Sequence, residues 1–351
     1  MKHILLVLIM PWIFISCHSN KYNKPAPDIE PAKKEIYGNT QGTTYTVIIN
    51  DELSITKKEI DSILSEFDME LSTYVDSSFI SMFNSLTSGK LEYQSENRYF
   101  KQCLFYSKEV YDLSNGSFDP SVLPLVDAWN FFKEDHQAIP DSATIDSLRA
   151  LIGFENGVHF SYRPSEFDYI SKTTPGFRLD FNAIAQGYAV DVVYDFIRSK
   201  GGNSFYVEIG GEIRVRGKKN DGTSWVVAVE EPNETKEREA ITYIELDEKA
   251  LATSGNYRKF YEKNGVKYAH TINPKTGYPV QHSLLSATVV AENCAYADAF
   301  ATMFMVIGVD ESMEFVKKHP ELNLAVYFIF NNQKNRLEVA YNKTFESLIK
   351  K

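Results

Sequence analysis

The chain has 351 residues, 43% hydrophobic and 24% charged, which is enough apolar material for one large or two modest domains. With 13% aromatic residues, disorder is excluded as a state of the whole chain. Lys plus Arg number 37 against 47 Asp plus Glu, a net charge of −10, and no Lys/Arg block appears, so the basic footprint of a nucleic-acid binder is missing.

Residues 4–15 form an apolar run broken only by Pro11 and preceded by Lys2 and His3. The run is shorter than the roughly 20 residues a spanning helix needs, and it suits the core of a signal peptide. It ends at Ser16-Cys17. This resembles a bacterial lipoprotein signal, in which Cys17 is acylated, palmitate included, and becomes the new N-terminus. An ordinary secretory signal with an incidental cysteine is the alternative. Residues 18–34 carry Pro25, Pro27 and Pro31 among polar residues and read as a tether. The expected organisation is a signal over 1–16, an anchor and tether over 17–34 and one folded domain over 35–351. Residues 18–27 hold no acidic cluster, which favours a lipid-anchored protein on the periplasmic side, the inner membrane ahead of the outer. Cys103 and Cys294 fall in apolar helical surroundings and are expected to be buried free thiols.

Within the domain, Tyr45 opens a short strand over 45–49. Ser54 is a candidate cap for a helix with Ile60, Ile63, Leu64 and Phe67 on one face. Further helices are expected over 97–113, 143–152, 182–200 and 295–307. Strands are expected over 205–215, interrupted by Gly210-Gly211, and over 225–230, 242–246, 268–272, 284–291 and 324–330. Helices and strands mix without strict alternation, so the class is α+β. There is no CxxC, HExxH, GxSxG, Walker A or GxGxxG pattern, and three cysteines make no disulfide framework.

Four segments carry more polar and glycine punctuation than packing requires. Leu179 to Asp191 puts Asp180 and Asn182 at the start of a small-residue helix, where free N–H groups suit phosphate; an N-cap on a tightly packed helix explains the same residues. In Glu208-Ile209-Gly210-Gly211-Glu212 the paired glycines suggest a strand bulge or close approach of a ligand. His270 to Gly277 places a histidine on a strand just before a tight Asn-Pro/Thr-Gly turn, where it handles a proton, binds a phosphate oxygen or is purely structural. Asp298 and Thr302, four residues apart, share one face of an alanine-rich helix. Their oxygens suit Mg²⁺, or a buried hydrogen-bonded pair.

In this order, and with Gly42-Thr43-Thr44-Tyr45, Ser72-Thr73-Tyr74, Phe118-Asp119-Pro120 and Thr253-Ser254-Gly255, these segments resemble the ApbE family of flavin transferases over residues 36–345. The resemblance implies an ApbE-like, T-fold-related α+β fold, with mixed sheets, flanking helices and a central FAD cleft. It implies FAD as substrate and Mg²⁺ at Asp298 and Thr302, with Ala183 and Ala301 supplying backbone or neighbouring contacts. Flavin contacts carry over to Gln41, Tyr74, Ser117, Phe118, Asp119, Asp180, Gln186 and Ile272. His270 and Asp298 carry over as the catalytic pair, His270 as base or phosphate ligand. Gln41 stands where the family usually has Met, and Gln186 where it commonly has Lys. The implied reaction is Mg²⁺-dependent transfer of FMN from FAD to a threonine hydroxyl of a target protein, with release of AMP. Hydrolysis of FAD to FMN and AMP, or flavin binding without catalysis, are the alternatives. The implied partners are flavin-accepting subunits of Nqr- and Rnf-like membrane electron-transfer complexes.

Overall fold

The framework is an eight-stranded sheet. Its strands run in the order β1 (Lys34–Thr40), β2 (Thr43–Ile49), β6 (Phe205–Ile209), β7 (Glu212–Arg216), β10 (Ala250–Gly255), β13 (Leu284–Ala291), β14 (Ala325–Asn331) and β15 (Leu337–Tyr341). Every one of these pairings is antiparallel. The computed structural model describes residues 33–92, 97–131, 139–160, 169–232, 239–256, 260–263 and 266–351. Cys17, the signal and nearly all of the tether lie outside them. Among the described residues no helix is long and apolar enough to cross a membrane.

Both faces of the sheet are covered, and the period-2 alternation of its strands says by what. Along β14, Val326 and Phe328 enter one core while Ala325, Tyr327 and Ile329 enter another. The larger core is closed by helices α1 (Lys57–Leu71), α2 (Phe79–Ser85), α3 (Arg98–Leu113), α7 (Ala185–Ser199) and α8 (Cys294–Ile307). The opposite face is covered by the hairpin β8 (Trp225–Glu230) and β9 (Ala240–Leu246), with Phe345 of α10 (Lys343–Glu346). Helix α9 (Val309–Lys318) follows α8 and carries Phe315 against it. A small sheet of β3 (Gly89–Glu92), β5 (Tyr169–Lys172) and β4 (Val158–His159) sits beside α6 (Phe154–Gly157). A third, separate cluster joins α4 (Leu123–Trp129) and α5 (Ser142–Arg149) to Ile272. The hairpin of β11 (Phe260–Lys263) and β12 (Val266–Ala269) leads into that segment.

Several boundaries differ from the sequence expectation for local reasons. Helix α1 is capped by Thr56 and not by Ser54, because Thr56 has Glu59 three residues on and the two form a capping box. Helix α7 starts at Ala185, so Asp180 and Asn182 precede it in a turn. Gly210-Gly211 is not a bulge within one strand. With φ of 64° and 113°, the two glycines form the turn of a hairpin in which Ile209 pairs with Glu212. Strand β12 ends at Ala269, so His270 lies just beyond it. Cys103 and Cys294 are free and buried. Burial pushes both thiols up.

Helix α3 receives its N-terminal cap from another helix. Glu70 of α1 accepts the Phe100 N–H at 2.8 Å, and burial lifts its carboxyl from 4.5 to about 7. A raised carboxyl binds its proton more tightly folded than unfolded. Its contribution is therefore complete below about 4.5 and lost as pH rises through about 7. In urea titrations at several pH values, the stability of the parent relative to Glu70→Gln is expected to fall across that interval. A difference independent of pH would contradict this.

Candidate active site

The N-terminal half of α7 lies so close to α8 that no side chain fits between them. A Cβ on Gly187 would stand 2.3 Å from the Cys294 carbonyl oxygen and 2.8 Å from Asp298 Cβ. The Gly187 N–H donates to Asp298 Oδ2 at 3.0 Å. Gly187 lies in the first turn of α7, where an N–H has no partner within the helix, and Asp298 supplies one; Ala183, just before the helix, lines the adjacent cavity. One turn further along α7, buried Asp191 accepts the N–H groups of Cys294 (2.9 Å) and Ala295 (2.8 Å) and pairs with Arg214 of β7 at 2.7 Å. A carboxylate thus caps α8 at its positive end and ties both helices to the sheet.

Asp298 opens onto a cavity of about 420 Å³. Its walls bring together Ser117, Phe118, Asp119, Asp180, Ala183, His270, Ile272, Asp298 and Thr302, which the sequence spreads over most of the domain. The Asp180 N–H donates to the Pro120 carbonyl at 2.7 Å, which joins the 117–120 segment to the approach to α7. Thr302 Oγ1 lies 3.2 Å from Ser254 Oγ of β10. The Thr271 hydroxyl donates to Asn256 Oδ1 at 2.7 Å and fixes the residue after His270. Ala301 is fully buried inside α8 and is not among the residues that line the cavity.

Gln41, Tyr74 and Gln186 line a neighbouring pocket of about 80 Å³, which shares Asn182 with the cavity. Gln41 occupies the β1–β2 turn with φ of 51°, and its Nε2 reaches Asp68 Oδ1 at 3.4 Å. Tyr74 is 76% exposed. Gln186 Nε2 donates to the Ile209 carbonyl at 3.1 Å and also to Glu212. Both partners are acceptors, so the amide group is oriented with its nitrogen toward the hairpin.

The cavity is strongly acidic. Asp119, Asp180, Glu212 and Asp298 all line it, and no Lys or Arg does so among the described residues. Burial raises Asp119 to about 6 despite two hydrogen bonds from Ser121, and it raises Asp180 as well. Burial lifts Asp298 to about 7; burial and then the charge of Asp298 lift Glu212 to about 8. Among the described residues no three or more His, Cys, Asp and Glu side chains gather to hold a metal ion. A cation here would draw on Asp298, the Thr302 hydroxyl, backbone carbonyls and the ligand's own oxygens. Those are hard donors of the kind Mg²⁺ takes. Sequence reasoning quoted Glu212 and Ser254 in motifs without giving them a role. The available signal for Glu212 was a carboxylate directly after a glycine pair.

The family model described as ApbE family matches residues 41–328. The chain belongs to the ApbE family. Among curated members it is 35% identical to the FAD:protein FMN transferase of Haemophilus influenzae, over 83% of this chain and 85% of that protein. It is 36% identical to the protein of the same name from Vibrio cholerae, over 83% and 84%. Among solved structures, the flavin transferase ApbE from Vibrio cholerae superposes with a TM-score of 0.78 at 30% identity, covering 90% of this chain and 99% of the other. The apo flavinyl transferase ApbE of Pseudomonas stutzeri gives 0.77 at 29%, covering 90% and 96%.

The Gly187 contact makes a direct prediction. Gly187→Ala forces α7 from α8 and is expected to cost about 1–3 kcal/mol in chemical denaturation. A variant as stable as the parent would mean that the two helices separate freely.

Proposed function

We propose that this ApbE-family chain transfers FMN from FAD to a threonine hydroxyl of another protein and releases AMP. The threonine oxygen bonds to the FMN phosphorus while the phosphoanhydride bond to AMP breaks. The observation that carries this reading is the family match, with relatives named FAD:protein FMN transferase aligned over 83% of the chain. Their name supports the transfer of FMN to a protein. The magnesium ion, the threonine and the acceptor's identity are this reading's own.

The electrostatics of the cavity support a bound cation. A diphosphate entering a wall of four carboxyls, with no Lys or Arg among its described lining residues, has little positive charge there to meet it. Asp298, the Thr302 hydroxyl and the Ala183 carbonyl would hold Mg²⁺, with Ala301 contributing no more than backbone. When bound there, the ion offsets negative charge on the diphosphate oxygens. His270 takes the acceptor's hydroxyl proton; it is the basic side chain among the described residues of the cavity wall. Asp180 and the 117–119 segment hold the flavin nucleotide, and Gln41, Tyr74 and Gln186 hold the part that extends past Asn182. The acceptors proposed are flavin subunits of Nqr- and Rnf-like membrane complexes. Attachment through an acylated Cys17 on the periplasmic side would bring the domain to them.

Purified protein, FAD, Mg²⁺ and a soluble acceptor domain carrying Ser-Gly-Ala-Thr are expected to give in-gel flavin fluorescence on the acceptor together with AMP. Asp298→Asn is expected to lower that rate about 100-fold or more, as is chelation of the metal in the parent. AMP released equally fast without acceptor would replace the transferase reading with hydrolysis. Tight FAD binding without AMP would replace it with flavin binding alone. Separately, Cys17→Ser is expected to move the protein from the membrane to the soluble fraction. Acylation or membrane retention of that variant would defeat the anchor.

A further inference from the structure

The segment that carries His270 is held from outside the main fold. Val280 N–H donates to the Thr271 carbonyl (3.0 Å) and Asn273 N–H to the Tyr278 carbonyl (2.9 Å), which closes residues 271–280 into a hairpin-like loop. Ile272 and Pro279 form its bridge. His270, Thr271, Ile272 and Pro274 face the cavity at one end. At the other end Gly277 turns with φ of 78°, and a Cβ there would stand 2.6 Å from Ile145 Cγ2 and 2.8 Å from Arg149 Cδ of α5. Over this tip lies Trp129, the last residue of α4 and only 2% exposed. Its indole Nε1–H donates to the Gly277 carbonyl at 2.8 Å, and its ring packs against Tyr268 and Tyr278, each 5.8 Å between centroids. The same helix presents Val126 to the cavity.

We propose that Trp129 is a positioning residue for the transfer reaction, and that its bond to Gly277 sets where His270 stands in the cavity. This rests on the reading of His270 as the base. The loop is tied to the sheet side by Thr271 and to the satellite cluster by Trp129. With the indole bond removed, the Gly277 carbonyl loses its buried partner and the tip is free to shift. His270, directly before the first residue of that closed loop, shifts with it. Small displacements of a reacting group are costly in rate, because catalysis needs donor and acceptor held in one geometry. Trp129 itself is not among the described residues that line the cavity.

The test is a double-mutant cycle on AMP release from FAD and Mg²⁺ in the presence of the Ser-Gly-Ala-Thr acceptor domain, with rates normalised to folded protein by circular dichroism. Trp129→Phe, which keeps an aromatic ring and drops the N–H, is expected to lower the rate roughly 10-fold to 100-fold. In a His270→Ala background the same substitution is expected to change the rate by less than about twofold, because the group it positions is gone. Trp129→His is the rescue. Its Nε2 occupies the same place relative to Cβ as the indole nitrogen, and it is expected to recover most of the loss. Equal losses in both backgrounds would reduce Trp129 to a structural residue and overturn the proposal, as would a fully active Trp129→Phe. If Trp129→Phe does not fold, Trp129→His decides alone: near-parental activity supports the proposal and a large loss overturns it. Full activity of His270→Ala, or a parent that releases no AMP, would instead remove the reading beneath the proposal, and the proposal with it.

Discussion

Everything at the centre of this protein depends on two helices touching where one of them has no side chain. Gly187 lets α7 lie against α8, and its amide holds the Asp298 carboxylate at 3.0 Å. Four residues on, Asp191 caps α8 and grips Arg214 on the sheet. The two contacts share one face of α7 and fix both the distance and the rotation between the helices. Thr302, one turn beyond Asp298, meets Ser254 of β10. The Asp298 and Thr302 oxygens that face the cavity are therefore set by the packing of helices and sheet.

The cavity that results holds its acids under strain of a particular kind. Asp298 and Glu212 are desolvated next to each other, and each is pushed toward its protonated form. A fold built for stability alone would fill such a space with apolar side chains. Gln186 relieves part of the cost by donating to Glu212, and Ser121 does the same for Asp119. The rest of the charge is left to whatever the cavity binds.

The sequence was most legible where a pattern has only one physical reading. The alternating run of β8 and the apolar run of β13 were bounded by turns, and the structure keeps both spans. The alanine-rich helix over 295–307 is α8, which starts one residue earlier. Edge strand β1, with Lys34, Glu35 and an exposed Tyr37, carries too little apolar signal to be read. Amphipathic α9 went unread because Gly308 ends α8 and serves as its own N-cap, without a Ser, Thr, Asp or Asn to announce a new start. Gly210-Gly211 was ambiguous because glycine is at home both in a bulge and in a two-residue turn, and only the pairing of Ile209 with Glu212 separates them. Each site segment alone had an ordinary structural explanation. Their order along the chain carried the family resemblance, but proximity through the Asp180–Pro120 and Thr302–Ser254 contacts is tertiary information that no local spacing holds.

The small cluster of Leu125, Trp129, Ile145, Ile152 and Ile272 does not merge with either large core. A change of side-chain volume there falls first on the cavity wall, through Ile272, and only then on the cores that hold the eight-stranded sheet. One wall of the cavity is thus packed apart from the two large cores. Helices α4 and α5 and the loop over 271–280 form a cassette that could be exchanged as a block between related chains, reshaping what enters the pocket while the carboxylate-bearing helices stay where they are.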